Sequence, residues 1–155
     1  MRDVAIVGTG MINFGELFDQ SVDEMAERAY LNALDDVDRG ISPEDVDAAW
    51  FGTLDVAGNA SSGLGLAHAT GLFDVPSTRV ENACATGSTA FRGAVQAVQA
   101  GEADVALVLG VEKMRDSAGG LIEGASLEQV WRGRGVTMPA FFGLRATRHM
   151  HEFGT

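Results

Sequence analysis

Ala103-Asp104-Val105-Ala106-Leu107-Val108-Leu109-Gly110-Val111 is the most apolar stretch of the chain. A continuous apolar run of this length reads as a strand covered on both faces, which belongs to a parallel sheet. The residues just before it support that reading. Cys84 to Ala100 sets Ala90, Phe91, Ala94, Val95 and Val98 on one helical face, and Gly101 stands where a helix C-cap belongs. Thr78 to Glu81 precedes this helix as a short strand. Strand, helix and strand in this order make a right-handed crossover between parallel strands.

Working outward, Ala48 to Leu54 reads as a further strand, followed by a small-residue helix over Ser62 to Thr70. Ser21 with Glu24 three residues on forms a capping box. Val22, Met25, Ala26, Ala29, Tyr30, Ala33, Leu34 and Val37 then repeat at helical spacing up to Gly40. Asp3 to Gly8 is apolar and ends in glycine, so it reads as a first buried strand. The alternation β-α-β-α-β-α-β predicts an α/β fold, a parallel sheet with helices on both faces. Past Glu112 the alternation stops. Residues 113–137 are rich in Gly, Ser and Arg, with helical character only from Ser126 to Trp131, and a helix entered through Pro139 runs from Met138 to Phe153. Residues 1–112 are therefore taken as β-α scaffold and 113–155 as the start of an inserted loop region.

The 155 residues are 46% hydrophobic and 21% charged, which excludes a disordered chain or a coiled coil. One domain of this length buries roughly 68–70% of its unfolded surface. Its longest apolar run, Val105 to Val111, is far short of the ~20 residues a membrane span needs. Met1 to Val4 shows no secretory leader pattern, so a soluble, cytoplasmic protein is expected. A net charge of −11 argues against nucleic acid and anionic membranes as partners. That charge is unevenly spread. Residues 1–112 carry five basic and eighteen acidic side chains, whereas 113–155 carry six basic and four acidic. The split reads either as a solvated face or as a site for an anion.

Candidate chemistry is sparse. Gly8-Thr9-Gly10 follows an expected strand, but Asn13 replaces the third glycine of a dinucleotide fingerprint and no helix follows. A tight turn is the simpler reading. His149 and His151, two apart on a helix, face different ways and cannot share a metal, while His68 stands alone among small residues. No metal site is expected. Cys84 is the chain's one cysteine, which rules out an internal disulfide. It stands where a strand gives way to a helix, in Asn82-Ala83-Cys84-Ala85-Thr86-Gly87-Ser88. Free N–H groups and the dipole at a helix start favour an anion such as a thiolate, and the small neighbours leave room for substrate. A buried structural cysteine is the alternative.

Glu81 to Phe91, centred on Cys84, resembles the nucleophile segment of the thiolase superfamily. Val4-Ala5-Ile6-Val7-Gly8-Thr9-Gly10-Met11 with Phe14-Gly15 is similar to the start of sterol-carrier-type and archaeal acetyl-CoA acetyltransferase-like thiolases. Ala106 to Met114 resembles the strand leaving the nucleophile helix, and Pro139 to Met150 a helix of the family's loop domain. The match runs in order over nearly the whole chain. Cys84-Ala85-Thr86-Gly87 separates it from ketosynthases, and the presence of the cysteine from steroid side-chain aldolases.

The resemblance implies an acyltransferase that forms an acyl-Cys84 intermediate and uses coenzyme A as co-substrate, with no bound cofactor. It implies a sheet order of 3-2-1-4, counting the four expected strands along the chain. It also implies an incomplete enzyme, because the family's second half, with its activating histidine and often a second cysteine, does not map onto this chain. A truncated or split protein is one reading, and a non-catalytic half that binds a partner is the other. Family members form homo-oligomers, and several work with a small OB-fold partner protein. CoA carries phosphates, and the family binds them in the loop domain. Arg132, Arg134 and Arg145, in the basic tail, are therefore the candidate phosphate ligands.

Overall fold

The computed structural model describes residues 2–55, 63–116 and 134–155. Its elements are α1 (Val22–Asp35), β1 (Ala48–Gly52), α2 (Gly63–Thr70), β2 (Ser77–Val80), α3 (Thr86–Ala100), β3 (Ala106–Gly110) and α4 (Met138–Phe153). The three strands form one parallel sheet in the order β2-β1-β3, with Trp50 opposite Thr78 on one side and Val108 on the other. No helix among the described residues is long and apolar enough to cross a membrane.

Period-2 alternation along β1 builds the layers. Ala49 and Phe51 point into a core shared with Val22 and Ala26 of α1, Leu66 and Ala67 of α2, and Leu109 of β3. Trp50 and Gly52 face α3 instead, where Trp50 lies against Gly93 and Gly52 against Thr86. Helices thus cover both faces, as the alternation of elements requires. On α3 the buried stripe is Thr86, Ala90, Ala94 and Ala97, all small, so the helix seats closely on the sheet. Phe91, placed on that face by the sequence reading, is 46% exposed, because the contact stripe passes to the other side of it.

Local signals set the helix ends as expected. Ser21 Oγ accepts from the Glu24 amide at 3.1 Å, while the Glu24 carboxylate accepts from the Ser21 amide at 2.7 Å. Those hydrogen bonds from Ser21 hold the Glu24 carboxyl below its ordinary range. Gly101 closes α3 with φ +79.

The expected first strand and the order 3-2-1-4 are corrected. Residues 3–8 lie in no strand, and Val4, Ile6 and Val7 are exposed. β1 and β3 pair directly from Ala48–Ala106 to Gly52–Gly110, so each satisfies the other's backbone and no slot stays open between them. The N-terminal segment is laid along α1 instead. Thr9 donates from its amide (2.8 Å) and its hydroxyl (3.0 Å) to Asp36, and Asn32 donates to the Met11 carbonyl at 2.9 Å. An apolar run is equally suited to a strand slot and to a helix surface, and here the polar clips select the helix. Gly8 and Gly10 serve this close approach rather than a turn. A Cβ on Gly10 would stand 2.2 Å from Ala29 O, and one on Gly8 2.5 Å from Ala33 O.

Candidate active site

All three strands run the same way, so their carboxyl ends share one edge of the sheet, where open α/β sheets place their ligands. Thr53 to Asp55 leave β1 there, Glu81 to Cys84 leave β2, and Glu112 and Lys113 follow β3. The edge is tied together. Glu112 accepts from the Leu54 amide at 2.7 Å, the Asp55 amide at 3.2 Å and the Thr53 hydroxyl at 3.3 Å. Thr53, 1% exposed, also donates its amide to Val80 O at 3.4 Å. Lys113 pairs with Asp116 at 2.9 Å.

Cys84 lies in the middle of a single 3-10 turn, Ala83–Ala85, that enters α3. It is exposed, so the buried structural reading of this residue does not hold. Side chains hold the turn at both ends, and the Ala85 amide donates to Asn82 O at 2.9 Å. Thr86 Oγ1 accepts from the Asn82 amide at 2.8 Å and donates to Ala83 O at 2.6 Å. Glu81 accepts from the Ala83 amide at 2.7 Å. Asn82 Nδ2 donates to Thr89 Oγ1 at 3.0 Å, and that hydroxyl donates to Ala85 O at 2.9 Å. Ala83 adopts φ +45, a conformation that costs a non-glycine residue about 1–2 kcal/mol.

The start of α3 contrasts with that of α1. Ala85 occupies its N-cap and offers no side-chain acceptor, and no acidic residue lies in the first turn. The helix thus starts without a side-chain cap beside an exposed thiol, and its first amide, that of Thr86, donates to Ala83 O. Such a terminus stabilises negative charge. The sequence reading found Cys84 but valued Thr86 only for its small size. The available signal was the four-residue spacing from Asn82 to Thr86 across a strand–helix junction.

The arginines are not gathered at this edge by any described contact. Arg145 on α4 stacks its guanidinium 4.5 Å from the Phe141 ring centroid. Arg134 is exposed in the turn before Thr137, and Arg132 lies outside the described residues, as does the helical stretch expected from Ser126 to Trp131. α4 buries none of its residues. The histidines make local ring contacts, His68 with Phe73 and His149 with Phe153. Among the described residues no three His, Cys, Asp or Glu side chains converge on a point where a metal could sit.

Comparison with known proteins places this geometry. A 3-oxoacyl-(acyl-carrier-protein) synthase III from Aquifex aeolicus shares the fold, with a TM-score of 0.56 and 22% identity over 70% of this chain and 35% of that one. An acetyl-CoA acetyltransferase of Methanothermobacter thermautotrophicus is 41% identical across 100% of this chain and 41% of its own length. Sterol carrier protein 2 of Gallus gallus is 35% identical over 99% of the chain and 30% of its own. The chain thus spans about two fifths or less of the curated relatives it matches. The model of the thiolase N-terminal domain matches residues 4–141. From its parallel sheet to the turn that carries Cys84, the chain belongs to the thiolase N-terminal domain family.

Proposed function

We propose that the protein is a thiolase-type acyltransferase in which Cys84 carries an acyl group between coenzyme A thioesters. One observation carries this: the lone thiol stands exposed at a helix start that has no side-chain cap, in a chain 41% identical to a protein named acetyl-CoA acetyltransferase. The Cys84 thiolate attacks the thioester carbonyl, the carbonyl–sulfur bond to CoA breaks, and CoA leaves as its thiolate. The acyl group, now on Cys84 Sγ, is then taken by a second nucleophile. In condensation, the α-carbon of an acetyl-CoA whose proton a base has removed takes the acyl group. In cleavage, Cys84 instead attacks the 3-keto carbonyl, the C2–C3 bond breaks, and acetyl-CoA leaves as a carbanion that takes up a proton. A CoA thiol then takes the acyl group from Cys84. Dividing the exchange in two replaces one difficult step by two easier ones.

Residues 1–112 act in this reading as the scaffold that presents the thiol, and 113–155 as the start of a loop domain that meets CoA. Arg132, Arg134 and Arg145 are its candidate phosphate ligands, their planar forks suited to paired hydrogen bonds. The group that activates Cys84 comes from the part of the relatives' length that this chain does not span, either in the same polypeptide or in another. A cytoplasmic homo-oligomer, with an OB-fold protein as a further partner, fits this reading.

Incubation with acetyl-CoA, followed by intact-mass and peptide analysis, tests it. The expected result is an acetyl group on Cys84, absent in Cys84→Ser and increased when the remaining portion of the enzyme is supplied. No label on Cys84 even with that portion present would overturn acyl transfer and favour a binding module.

A further inference from the structure

We infer that Thr86 is the positioning residue of Cys84, holding the turn that aims the thiol. The inference rests on the acyl-transfer reading for what the aim is worth, and on geometry alone for the hold itself. A threonine hydroxyl has one hydrogen to donate and lone pairs to accept with, and Thr86 uses both on the turn. It accepts from the Asn82 amide at 2.8 Å and donates to the Ala83 carbonyl at 2.6 Å, bracketing the positive φ of Ala83 from both sides. At 6% exposure the side chain is shielded from water, so solvent cannot replace these bonds cheaply. Its position is fixed in turn by the sheet: a Cβ on Gly52 would come within 3.0 Å of Thr86 Cγ2.

The hydroxyl and the methyl of Thr86 therefore have separate duties. The methyl seats α3 against the end of β1. The hydroxyl ties Asn82 to Ala83, whose positive φ alanine disfavours, and Cys84 follows directly. Without it, the Asn82 N–H loses its partner and the Ala83 C=O keeps only the Thr86 amide, so Ala83 relaxes toward negative φ and the thiol moves. Thr86 does not touch the reacting atoms, so its influence passes through the backbone.

Thr86→Val keeps the shape and removes the hydroxyl, whereas Thr86→Ser keeps the hydroxyl. In T86V, amide exchange at Asn82 should quicken about tenfold or more, and in T86S it should stay near that of the unaltered protein. At saturating acetyl-CoA, acetylation of Cys84 should slow about tenfold to a hundredfold in T86V, with the half-saturating concentration little changed, and T86S should restore it. Alkylation by iodoacetamide, which needs mainly an accessible thiol, should stay within about threefold in all three proteins. If T86V fails to fold by circular dichroism, Thr86→Ala takes its place. Unchanged Asn82 exchange in the variant overturns the inference, whatever the acetylation result. Faster exchange with an unchanged acetylation rate overturns the positioning role. Absence of acetylation in the unaltered protein, with its remaining portion supplied, instead strikes the acyl-transfer reading, and the exchange comparison then decides the hold alone.

Discussion

The indole of Trp50 occupies the space that a side chain at position 93 would need: a Cβ on Gly93 would stand 2.5 Å from Trp50 Nε1 and 2.8 Å from Cδ1. Glycine is a poor choice inside a helix, by about 1 kcal/mol against alanine, so its presence in α3 reflects the nearness of β1. Gly93→Ala therefore sets a propensity gain against a steric clash. A broad ring anchored on a strand yields less than a flexible side-chain end, and the clash prevails. The expected outcome is a net loss of about 1–2 kcal/mol in urea unfolding. A stabilised variant would mean that α3 does not rest on Trp50.

Gly10 presents the same logic against backbone. Its added Cβ would meet Ala29 O at 2.2 Å and Ala33 N at 2.3 Å, atoms that α1 cannot move without losing its own bonds. Gly10→Ala should lift the N-terminal segment off the helix, break the Asn32–Met11 bond and cost about 1–3 kcal/mol. Gly15, with nothing within 4 Å of an added Cβ, is the control, and its alanine variant should lie within about 0.5 kcal/mol of the parent. Equal unfolding midpoints for the two variants would show that the segment does not lie on α1.

Asp47 governs part of the acid sensitivity. Its carboxylate accepts from the Val105 amide at 3.0 Å and the Asp104 amide at 2.8 Å, just before β3 begins. These bonds, Val105 first, hold its carboxyl below the ordinary 3.8. With the folded value depressed, the stabilisation is complete above the unfolded value and fades as pH falls through the folded one. Asp47→Asn should lower the urea midpoint at neutral pH and flatten its decline between about pH 5 and about pH 2. Parallel pH profiles for the two proteins would remove Asp47 from the acid transition.

Much of this architecture was legible because its causes are local. The Ser21–Glu24 box, Gly101 and the apolar run ending in Val111 each announce an element within a few residues. The place of Cys84 was legible for the same reason, since a junction between strand and helix is read from its neighbours. Residues 3–8 were misread because their apolar character is shared by two destinations. The choice of α1 over the sheet depends on Asp36 and Asn32, more than twenty positions away. The clips of Glu112 onto Thr53, Leu54 and Asp55 were missed likewise, for they join positions nearly sixty apart. Phe91 went astray on a finer point: the helix contacts the sheet through alanines and a glycine, so bulk did not mark the inner face.

The bonds that shape the Cys84 turn all fall between Glu81 and Thr89. Closing loops this short costs little chain entropy, and contacts of such low sequence separation form early in folding. The corner that carries Cys84 can then take shape as α3 nucleates, ahead of the longer pairings that complete the sheet edge. Its hydrogen bonds are written into nine consecutive residues, and only the seat of Thr86 against Gly52 reaches outside them. A rearrangement that kept β1 together with these nine residues would carry this corner along intact.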